Sequence, residues 1–522
     1  MPNSDYVHES GDPVTVGEHG EHDYVFVSGD PLTDTGVSDL VFESGTGIGG
    51  SAALEVGAFP SGAELALVRV FDSGVPTIPP SWPVTAGTDG ARWSPPNEGP
   101  LSEPELAWAT QDEFGSTITA ADDRIYIPRH PYEGGTAEEL VAADAATGEI
   151  LWAWSPPESY EELQDNVLAV DPEHDEVYIV LEIDTTSGST YDGSLETPIR
   201  LVAVDATTGD TSFYGPALEN GIEDTTKKLY FDVNFGSGLT EGTLLCASPP
   251  GGEGVGDEAT LGGISTSTGE RTWVRRDDSG DFGTIDGYTV DMVITHSGAP
   301  AVGEGRVYSA IEWREEDRSG DVATPAYGVA AFDVGTGDPV WYRQDCKPRI
   351  GRVAYHDGGV YVAAQRDKDN YYLKGGPLSS VTRLDPDTGA VEWAHYSDRP
   401  GDYPPDNPKL LAVGGGRVAA ISGDERTTYR QASVLDVGTG TPVVEQWEGD
   451  APVAENNRTV LSDGGLYLEE GETLKCLNPE TLGERWRAQL EPRYNSWFVD
   501  GGSIYAAIGT YSTTWYDPYR TS

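Results

Sequence analysis

Only three of the 522 residues in this sequence are cysteine. Cys246, Cys346 and Cys476 are far apart, and none of them belongs to a C-x-x-C or C-x-x-C-H motif. Thiolate metal sites and covalent haem attachment depend on such motifs, and isolated cysteines in odd number predict no disulfide framework. Long apolar runs are lacking as well. No stretch approaches the roughly 18 apolar residues of a membrane-spanning helix, and the polar start MPNSDYVHESGDP predicts no signal peptide.

Basic residues are scarce. The chain has 32 Lys and Arg against 88 Asp and Glu, which gives a net charge of −56. Because phosphate binding needs clustered Lys and Arg, we expect no nucleic-acid partner. The acidic residues are spread through every segment, so the charge belongs to the whole surface. The Debye length falls from about 10 Å at 0.1 M salt to about 3 Å at 1 M, so molar salt screens the self-repulsion. The charge therefore predicts the acidic surface of a halophilic protein.

A short pattern recurs along most of the chain: an apolar pair, then Asp or a substitute, then Thr-Gly or a near equivalent, then an aromatic residue. The copies are VAADAATGEILW (141–152), LVAVDATTGDTSFY (201–214), LGGISTSTGERTWV (261–274), VAAFDVGTGDPVWY (329–342), VTRLDPDTGAVEWA (381–394), SVLDVGTGTPVVEQW (433–447) and LKCLNPETLGERWR (474–487). Such a repeat indicates an array of one supersecondary unit.

Each part of the pattern has a structural role. The Asp or Asn accepts hydrogen bonds from turn amides, the Gly supplies a positive φ at the corner, and the Trp fills the space between neighbouring sheets. The residues predicted to do this are Asp144, Trp152, Asp205, Trp273, Asp333, Trp341, Asp385, Trp393, Asp436, Asn478 and Trp486. We expect these five Trp side chains to be buried between the sheets.

A second hairpin precedes each copy, as in GRVAYHDGGVYVAAQ, and ends in Val-Tyr or its equivalent. Two hairpins make a four-stranded unit, which is typical of a β-propeller blade. We therefore predict an all-β fold: an eight-bladed β-propeller of four-stranded blades, with seven blades as the alternative and a small N-terminal β segment. The eighth blade is expected to close through pairing of ELAWAT (105–110) beside residues 512–518, because closure removes exposed sheet edges.

The repeated motif A-x-D-x-x-T-G-x-x-x-W resembles that of propellers built from quinoprotein-type repeats, over roughly residues 105–522. The resemblance implies the fold more than an activity, since that family includes quinone-dependent dehydrogenases, assembly scaffolds and proteins without known chemistry. A dehydrogenase of this family has a vicinal cysteine disulfide, bound calcium and an Asp base. The three separated cysteines cannot supply that disulfide, so we expect no enzyme, no catalytic residues and no cofactor.

Residues 1–75 carry a different repeat: YVHESGDPVT, YVFVSGDPLT, LVFESGTGIGG and RVFDSGVPT. These alternating sequences predict an N-terminal β attachment or oligomerisation segment, which is similar to haloarchaeal virus structural proteins. Residues 76–104 are rich in Pro and Gly and predict an extended linker. Residues 105–522 then form the propeller. The plan is that of a foot, a stalk and a head.

Metal sites are weakly indicated. His19 and His22 in EHGEH lack the H-E-x-x-H order of zinc sites, so we interpret them as a solvated pair. The acidic runs 171–177 and 366–372 do not match the spacing of a calcium loop, and no Walker or nucleophile-elbow motif occurs. No metal site is therefore assigned, although weak structural cation binding by the acidic runs stays open.

Recognition remains as the function. Loops held on a rigid scaffold carry binding residues, and exposed aromatics can stack on sugars or fill partner pockets. The candidate recognition aromatics are Tyr160, Tyr191, Tyr371, Tyr372 and Tyr403. We predict a non-enzymatic head on the virion surface of a halophile-infecting virus. It would be a homo-oligomer, bound to other virion proteins through its N-terminal segment and to a host surface glycoprotein or glycan. The alternatives are a cellular propeller scaffold in a haloarchaeal cytoplasm and, after that, a quinone-dependent dehydrogenase.

Overall fold

A computed structural model gives the fold. It describes residues 53–55, 65–71, 99–112, 114, 118–129, 139–157, 161–183, 199–216, 238–240, 242–248, 260–276, 284–285, 288–291, 300–313, 326–346, 349–365, 379–397, 408–422, 431–447, 451–452, 459–470, 473–491 and 494–509. All regular secondary structure in these ranges is β, and none of it is helical. These ranges accordingly contain no helix long and apolar enough to cross a membrane.

The described residues contain 35 strands. In chain order they are β1 (Ala53–Glu55), β2 (Leu65–Phe71), β3 (Glu105–Asp112), β4 (Thr119–Ala121), β5 (Arg124–Arg129), β6 (Glu139–Asp144), β7 (Ile150–Trp154), β8 (Glu161–Asp171), β9 (Glu176–Ile183), β10 (Ile199–Asp205), β11 (Thr211–Tyr214), β12 (Gly238–Thr240), β13 (Thr243–Ser248), β14 (Thr260–Ser265), β15 (Arg271–Arg276), β16 (Thr284–Ile285), β17 (Tyr288–Asp291), β18 (Ala301–Gly303), β19 (Arg306–Trp313), β20 (Ala326–Asp333), β21 (Pro339–Cys346), β22 (Arg349–His356), β23 (Gly359–Gln365), β24 (Ser379–Leu384), β25 (Val391–Ser397), β26 (Pro408–Gly414), β27 (Arg417–Ser422), β28 (Gln431–Asp436), β29 (Pro442–Trp447), β30 (Thr459–Leu461), β31 (Leu466–Glu470), β32 (Thr473–Leu477), β33 (Glu484–Glu491), β34 (Tyr494–Asp500) and β35 (Ser503–Gly509).

The strands form a ring of eight antiparallel blades, as predicted. Blades 1 to 7 are β4–β7, β8–β11, β12–β15, β18–β21, β22–β25, β26–β29 and β30–β33, each paired in chain order from its first strand to its fourth. Blade 4 is extended by the hairpin β16–β17, since β17 also pairs with β19. Blade 7 has a fifth strand, because β1 pairs in parallel with β33.

Blade 8 joins the two ends of the chain. Its order is β34, β35, β2 and β3, so the N-terminal strand β2 lies between β35 and β3. The predicted partner of residues 105–110, residues 512–518, lies outside the described residues, and the strand that pairs with β3 is β2. A third strand is covered on both faces, and β2 fits because Leu67, Val68 and Val70 are fully apolar and buried.

The predicted boundary at residue 75 is wrong. The last of the four N-terminal repeats, RVFDSGVPT, begins inside β2. The N-terminal segment predicted from the sequence (1–75) therefore contributes strand β2 to blade 8 of the propeller. Residues 1–52 and 510–522 lie outside the described residues.

The core lies between neighbouring blades. Second and third strands are buried on both faces, as in β6, where the four central residues are all buried. Fourth strands alternate, as in β7, where Leu151 is exposed between less exposed neighbours. This difference explains why middle strands such as VYIVLEI (177–183) are almost continuously apolar in sequence.

Antiparallel pairing gives the ring two different ends. At one end, which we call the turn face, lie the connections from first to second strand and from third to fourth strand. At the other end, the loop face, lie the connections from second to third strand and from each blade to the next. Turn-face connections in blades 1 to 7 are short, as at 122–123 and 145–149 in blade 1. Loop-face connections include the long segments 184–198, 215–237 and 366–378.

Candidate functional site

The repeated turn between third and fourth strands is closed by its own side chains. In blade 1, Asp144 Oδ1 accepts hydrogen bonds from the amides of Ala146 and Thr147 at 3.0 and 2.8 Å, and from Thr147 Oγ1 at 2.8 Å. The Gly148 amide donates to the Asp144 carbonyl at 2.8 Å. Gly148 has a φ of +74°, which a residue without Cβ adopts without strain.

The other blades repeat this arrangement with small changes. Asp205, Asp333, Asp385 and Asp436 each accept from the amides two and three residues later. Ser265 and Asn478 each accept one such amide, at 3.3 and 2.8 Å. The Thr388 hydroxyl holds the pKa of Asp385 below its ordinary value, and the Thr439 hydroxyl does the same to the pKa of Asp436. These carboxylates therefore accept hydrogen bonds from the backbone of their own turns.

In blades 1 to 6, the glycine of the turn lies under an aromatic ring from the preceding blade. A Cβ built on Gly148, Gly389 or Gly440 would lie 2.4–2.6 Å from Cε3 of Trp108, Trp341 or Trp393 respectively. Such a distance leaves no room for any side chain. Gly209 with Trp152 and Gly337 with Trp273 form the same pair, and in blade 3 Gly269 lies against Phe213. The aromatic residue and the glycine of the motif therefore serve the same kind of contact: the aromatic residue of one blade packs on the glycine of the next blade.

The tryptophans among these aromatic residues also donate a hydrogen bond to a backbone carbonyl of that turn. Trp341 Nε1 donates to the Pro386 carbonyl at 2.8 Å, and Trp393 Nε1 donates to the Val437 carbonyl at 3.0 Å. An arginine from the same blade as the Trp shares each acceptor: Arg306 Nη1 reaches Pro386 at 3.0 Å, and Arg383 Nη1 reaches Val437 at 3.3 Å. Trp108 and Arg69 share the Ala145 carbonyl in the same way. The sequence pattern did not single out these arginines.

The junction between blades 6 and 7 departs from the rule. Val444 pairs with Val434 in the register where Trp393 pairs with Arg383, so a valine stands at the Trp position. On blade 7, Leu482 takes the glycine position: its amide donates to the Asn478 carbonyl at 2.7 Å, and its φ is +56°. Leu482 is buried in the apolar cluster against which Val444 packs. A smaller residue at the Trp position is thus accompanied by a larger residue at the Gly position.

The junction between blades 7 and 8 departs differently, because residues 72–104 replace the short turn of blade 8. The Pro100 carbonyl provides the missing acceptor. It accepts from Trp486 Nε1 at 2.9 Å and from the Tyr467 hydroxyl at 3.1 Å. Part of the segment predicted as a stalk is thus packed into the ring. No local sequence signal marks Pro100, because its partners lie more than 360 residues away.

Tyrosines of the second strands support these tryptophans from within the same blade. The ring centroids of Tyr308 and Trp341, and of Tyr361 and Trp393, are 6.1 and 6.2 Å apart. Burial raises the pKa of Tyr308 and of Tyr361 to about 12. The Val-Tyr ending noted in the sequence therefore marks a packing position that favours the neutral phenol.

The five predicted tryptophans divide into two groups by exposure. Trp273 and Trp486 are buried, with 7% and 4% of their surface exposed. Trp152, Trp341 and Trp393 are half-buried. Each of these three contacts the turn of the following blade, but the prediction of full burial is wrong for them.

All five candidate recognition tyrosines lie outside the described residues. The strands that flank them are described, and they end at the loop face. Tyr160 lies between β7 and β8, and Tyr191 between β9 and β10. Tyr371 and Tyr372 lie between β23 and β24, and Tyr403 between β25 and β26. Connectivity therefore assigns all five to connections of one end of the ring.

The repeat pattern, the blade register and the propeller ring agree with a comparison against protein families. The family described as outer membrane protein assembly factor BamB matches residues 200–487. The chain belongs to this family. A search of curated proteins finds no match.

Solved structures of the propeller fold are similar to the chain over most of its length. BamB from Moraxella catarrhalis has 12% identity and a TM-score of 0.42, with 76% of this chain and 94% of that chain covered. The quinohemoprotein alcohol dehydrogenase ADHIIG from Pseudomonas putida HK5 has 13% identity and a TM-score of 0.45, with 81% and 75% covered. Likenesses of this size are no argument for a shared activity.

This BamB-family chain has no two adjacent cysteines that could form the vicinal disulfide of the quinone-dependent dehydrogenases. Its cysteines are far apart in sequence, and the Cys476 side chain is buried. The described ranges contain no group of three or more His, Cys, Asp or Glu side chains placed to hold a metal ion. In the acidic run 171–177, Asp171 accepts two turn amides and contacts His174 Nδ1 at 2.8 Å. His19, His22 and the run 366–372 lie outside the described residues.

Proposed function

We propose that this chain is a non-enzymatic recognition protein of a halophile-infecting virus, a propeller head that binds a host surface glycoprotein or glycan through its loop face. The observation that carries the proposal is the difference between the two ends of the ring. Turn-face polar groups are bonded within their own turns, whereas the loop face holds long connections of dissimilar sequence. Variable loops on a rigid frame are where binding residues concentrate.

The position of the tyrosines supports the loop face over the turn face. All five candidates lie on connections that begin and end there, on blades 1, 2 and 5. Tyr371 and Tyr372 are adjacent within DKDNYYLKGG, where two phenol rings can offer a stacking surface for a sugar. On the opposite face, the exposed hydroxyls of Thr147, Thr336 and Thr388 donate to the Asp of their own turns.

The N-terminal repeats support mounting on a particle. Three copies of the SGDP-type repeat precede the first described strand, and the ring does not need them for its eight blades. Repeated short β sequences gain stability from packing on copies of themselves or on a host surface. In this proposal they bind other virion proteins and make the head oligomeric.

Binding to halophilic host cells tests the loop face directly. We expect the double variant Tyr371→Ser/Tyr372→Ser to lose at least about tenfold in affinity for host cells or their surface glycoprotein, as for aromatic interface anchors. Tyr342→Ser is the matched control, since Tyr342 is 38% exposed in the turn-face half of the outer strand β21. Equal binding by both variants, or no binding by the parent, contradicts the proposal.

Location and salt response complete the test. Mass spectrometry should find the chain in purified particles of a halophilic virus, and the melting temperature should fall as KCl is lowered from molar to about 0.1 M. A melting temperature that stays constant over that range would remove the halophilic part of the proposal.

A cellular scaffold is the second candidate, and membership of an assembly-factor family favours it. In that case the chain would occur only in host cytosol, and its loop face would bind a host protein. A quinone-dependent dehydrogenase is the third candidate. Dye-linked oxidation of an alcohol or sugar after addition of quinone and calcium would identify it.

A further inference from the structure

The closing strand β2 is held by parts of the chain that lie far from it in sequence. It pairs over seven residues with β35 on one side and with β3 on the other. Leu67, Val68 and Val70 are at most 2% exposed. Arg69 Nε donates to Ser503 Oγ at 3.1 Å, across a sequence separation of 434 residues. The ring is therefore complete only when this strand occupies the space between β35 and β3.

The connections of β2 are much longer than its position requires. Neighbouring strands are about 4.8 Å apart, and blades 1 to 7 cross from third to fourth strand by short turns such as 145–149. In blade 8 the crossing uses residues 72–104. The 27 residues between β2 and the packed residues 99–100 can span at most about 90 Å. That length is sufficient for β2 to reach the ring of a second copy.

Synthesis order also separates β2 from its acceptor. The strand is made first, and β34 and β35 are made last. At about 5–20 residues per second, β2 waits roughly 20–90 s for the rest of its own blade. During that time it lacks its partner β35, so this edge of β2 is available to the open seam of another copy.

The acceptor also discriminates among the N-terminal repeats. Aligned on their Ser-Gly corners, the three earlier copies place Asp5, Asp23 and Asp39 at the position of buried Val68. They place Ser4, His22 and Ser38 at the position of Leu67. An unpaired carboxylate or hydroxyl is strongly disfavoured at a fully buried site. Only the fourth copy can close a ring, so exchange would occur through one defined strand.

We propose that β2 is exchanged between copies, so that the N-terminal strand of one chain completes blade 8 of a second copy of the same chain. Reciprocal exchange preserves every contact of the closed ring, which makes it a low-cost route to a dimer. The partner surface is the pair of edges offered by β35 and β3, and its ligand is the segment Leu65–Phe71 of the other copy. This inference holds for a virion protein and for a cellular scaffold alike.

Disulfide trapping in the full-length chain tests the exchange. In a background with the three native cysteines replaced by alanine, Val68→Cys and Ala506→Cys introduce a pair that faces across β2 and β35. Leu67→Cys with Ala507→Cys is a second pair one residue away, where the alternating ladder geometry differs. The matched control is Val434→Cys with Ala419→Cys in blade 6, a Val–Ala pair that is equally buried.

Each protein is purified in molar salt, separated by size, oxidised and run on a denaturing gel without reductant. We expect the oligomeric fraction of either seam pair to give mainly covalent dimers, and its monomeric fraction to give only internal cross-links. The blade 6 control should give internal cross-links in every fraction. Internal cross-links alone in the oligomeric fraction of both seam pairs, or the absence of any oligomeric fraction, would overturn the proposal.

Discussion

The junction between blades 5 and 6 and the junction between blades 6 and 7 fill the same space with different residues. The first uses Trp393 over Gly440, and the second uses Val444 beside Leu482. At the first junction a tryptophan ring lies over a glycine, which has no side chain. At the second junction the smaller Val444 is paired with Leu482, even though Leu482 must adopt a positive φ. The comparison teaches that the repeat conserves a filled volume between blades. The sequence motif A-x-D-x-x-T-G-x-x-x-W is one way to fill it.

The junction between blades 7 and 8 extends the comparison from side chains to backbone. Trp486 keeps its indole hydrogen bond, but its acceptor is the carbonyl of Pro100 in a long connection. At ordinary junctions the acceptor belongs to the repeated turn, as at Val437. What persists across the junctions is a filled volume and, wherever an indole is present, an acceptor for its N–H.

Truncation should give the largest effect, because it separates the repeats from the closing strand. Deletion of residues 1–52 keeps β1 and β2, so the ring should melt cooperatively and close to the full chain. Deletion of residues 1–72 removes β2 and leaves the edges of β35 and β3 unpaired, so we expect loss of the cooperative transition or aggregation. Circular dichroism melts and size-exclusion chromatography measure both. A cooperative melt near the parent temperature for the longer deletion would show that β2 is dispensable.

A side chain beneath an ordinary tryptophan should be the most damaging point change. In Gly440→Leu the new Cβ would lie 2.4 Å from Trp393 Cε3, at a φ of +66°. Left-handed strain and overpacking together should lower the free energy of unfolding by about 2–5 kcal/mol. Denaturant titration measures the change. A loss below about 1 kcal/mol would mean that the Trp393 ring moves freely aside.

Exchanging the two packing solutions sharpens the comparison. Val444→Trp alone should clash with Leu482, and Leu482→Gly alone should leave a cavity. The double variant recreates the Trp–Gly pair of the other junctions, so its destabilisation should be smaller than the sum of the single changes by at least about 1 kcal/mol. The reverse pair, Trp393→Val with Gly440→Leu, serves as the matched cycle. Additive effects in both cycles would show that these positions do not share one volume.

Two tyrosines at equivalent positions should respond differently to loss of their hydroxyl groups. The Tyr467 hydroxyl donates to Pro100, so Tyr467→Phe should lower the free energy of unfolding by about 1 kcal/mol. The Tyr361 hydroxyl is buried without a hydrogen-bond partner among the described residues, so Tyr361→Phe should be neutral or slightly stabilising. Denaturant titration of both variants decides this. Equal losses would assign Tyr361 a partner outside those residues.

The smallest effect concerns alkaline pH. Burial raises the pKa of Tyr361 from 10.0 to about 12, so the folded state favours the neutral phenol. Its contribution to stability is complete below about pH 10 and is lost as the pH rises towards 12. Tyr361→Phe removes this ionisation, so the stability of the variant should fall less steeply over that window. Parallel slopes for parent and variant would contradict the assigned pKa.

Features of the fold that depend on residues close together in sequence are predicted correctly from the sequence. The hydrogen bonds of the turn from Asp144 to Gly148 follow from residues within one repeat. The count of eight blades follows from the number of repeats and the strands near the two ends of the chain. The closing strand was assigned to 512–518, since nothing local distinguishes β2 as a third strand until its neighbours bury it. Pro100 and Leu482 could not be found for the same reason: each compensates for a residue on another blade. The recognition tyrosines remain a prediction from sequence and connectivity.

The parallel strand β1 gives the N-terminal arm a mechanical property. A pull on residues 1–52 first loads the three residue pairs between β1 and β33. Because β1 precedes β2 in the chain, the seven pairs between β2 and β35 are loaded only after these separate. Under this loading the three pairs of β1 separate first, and the seven pairs of β2 resist the force afterwards. A head tethered by this arm would therefore absorb a sudden tug by losing β1 while its ring stays closed.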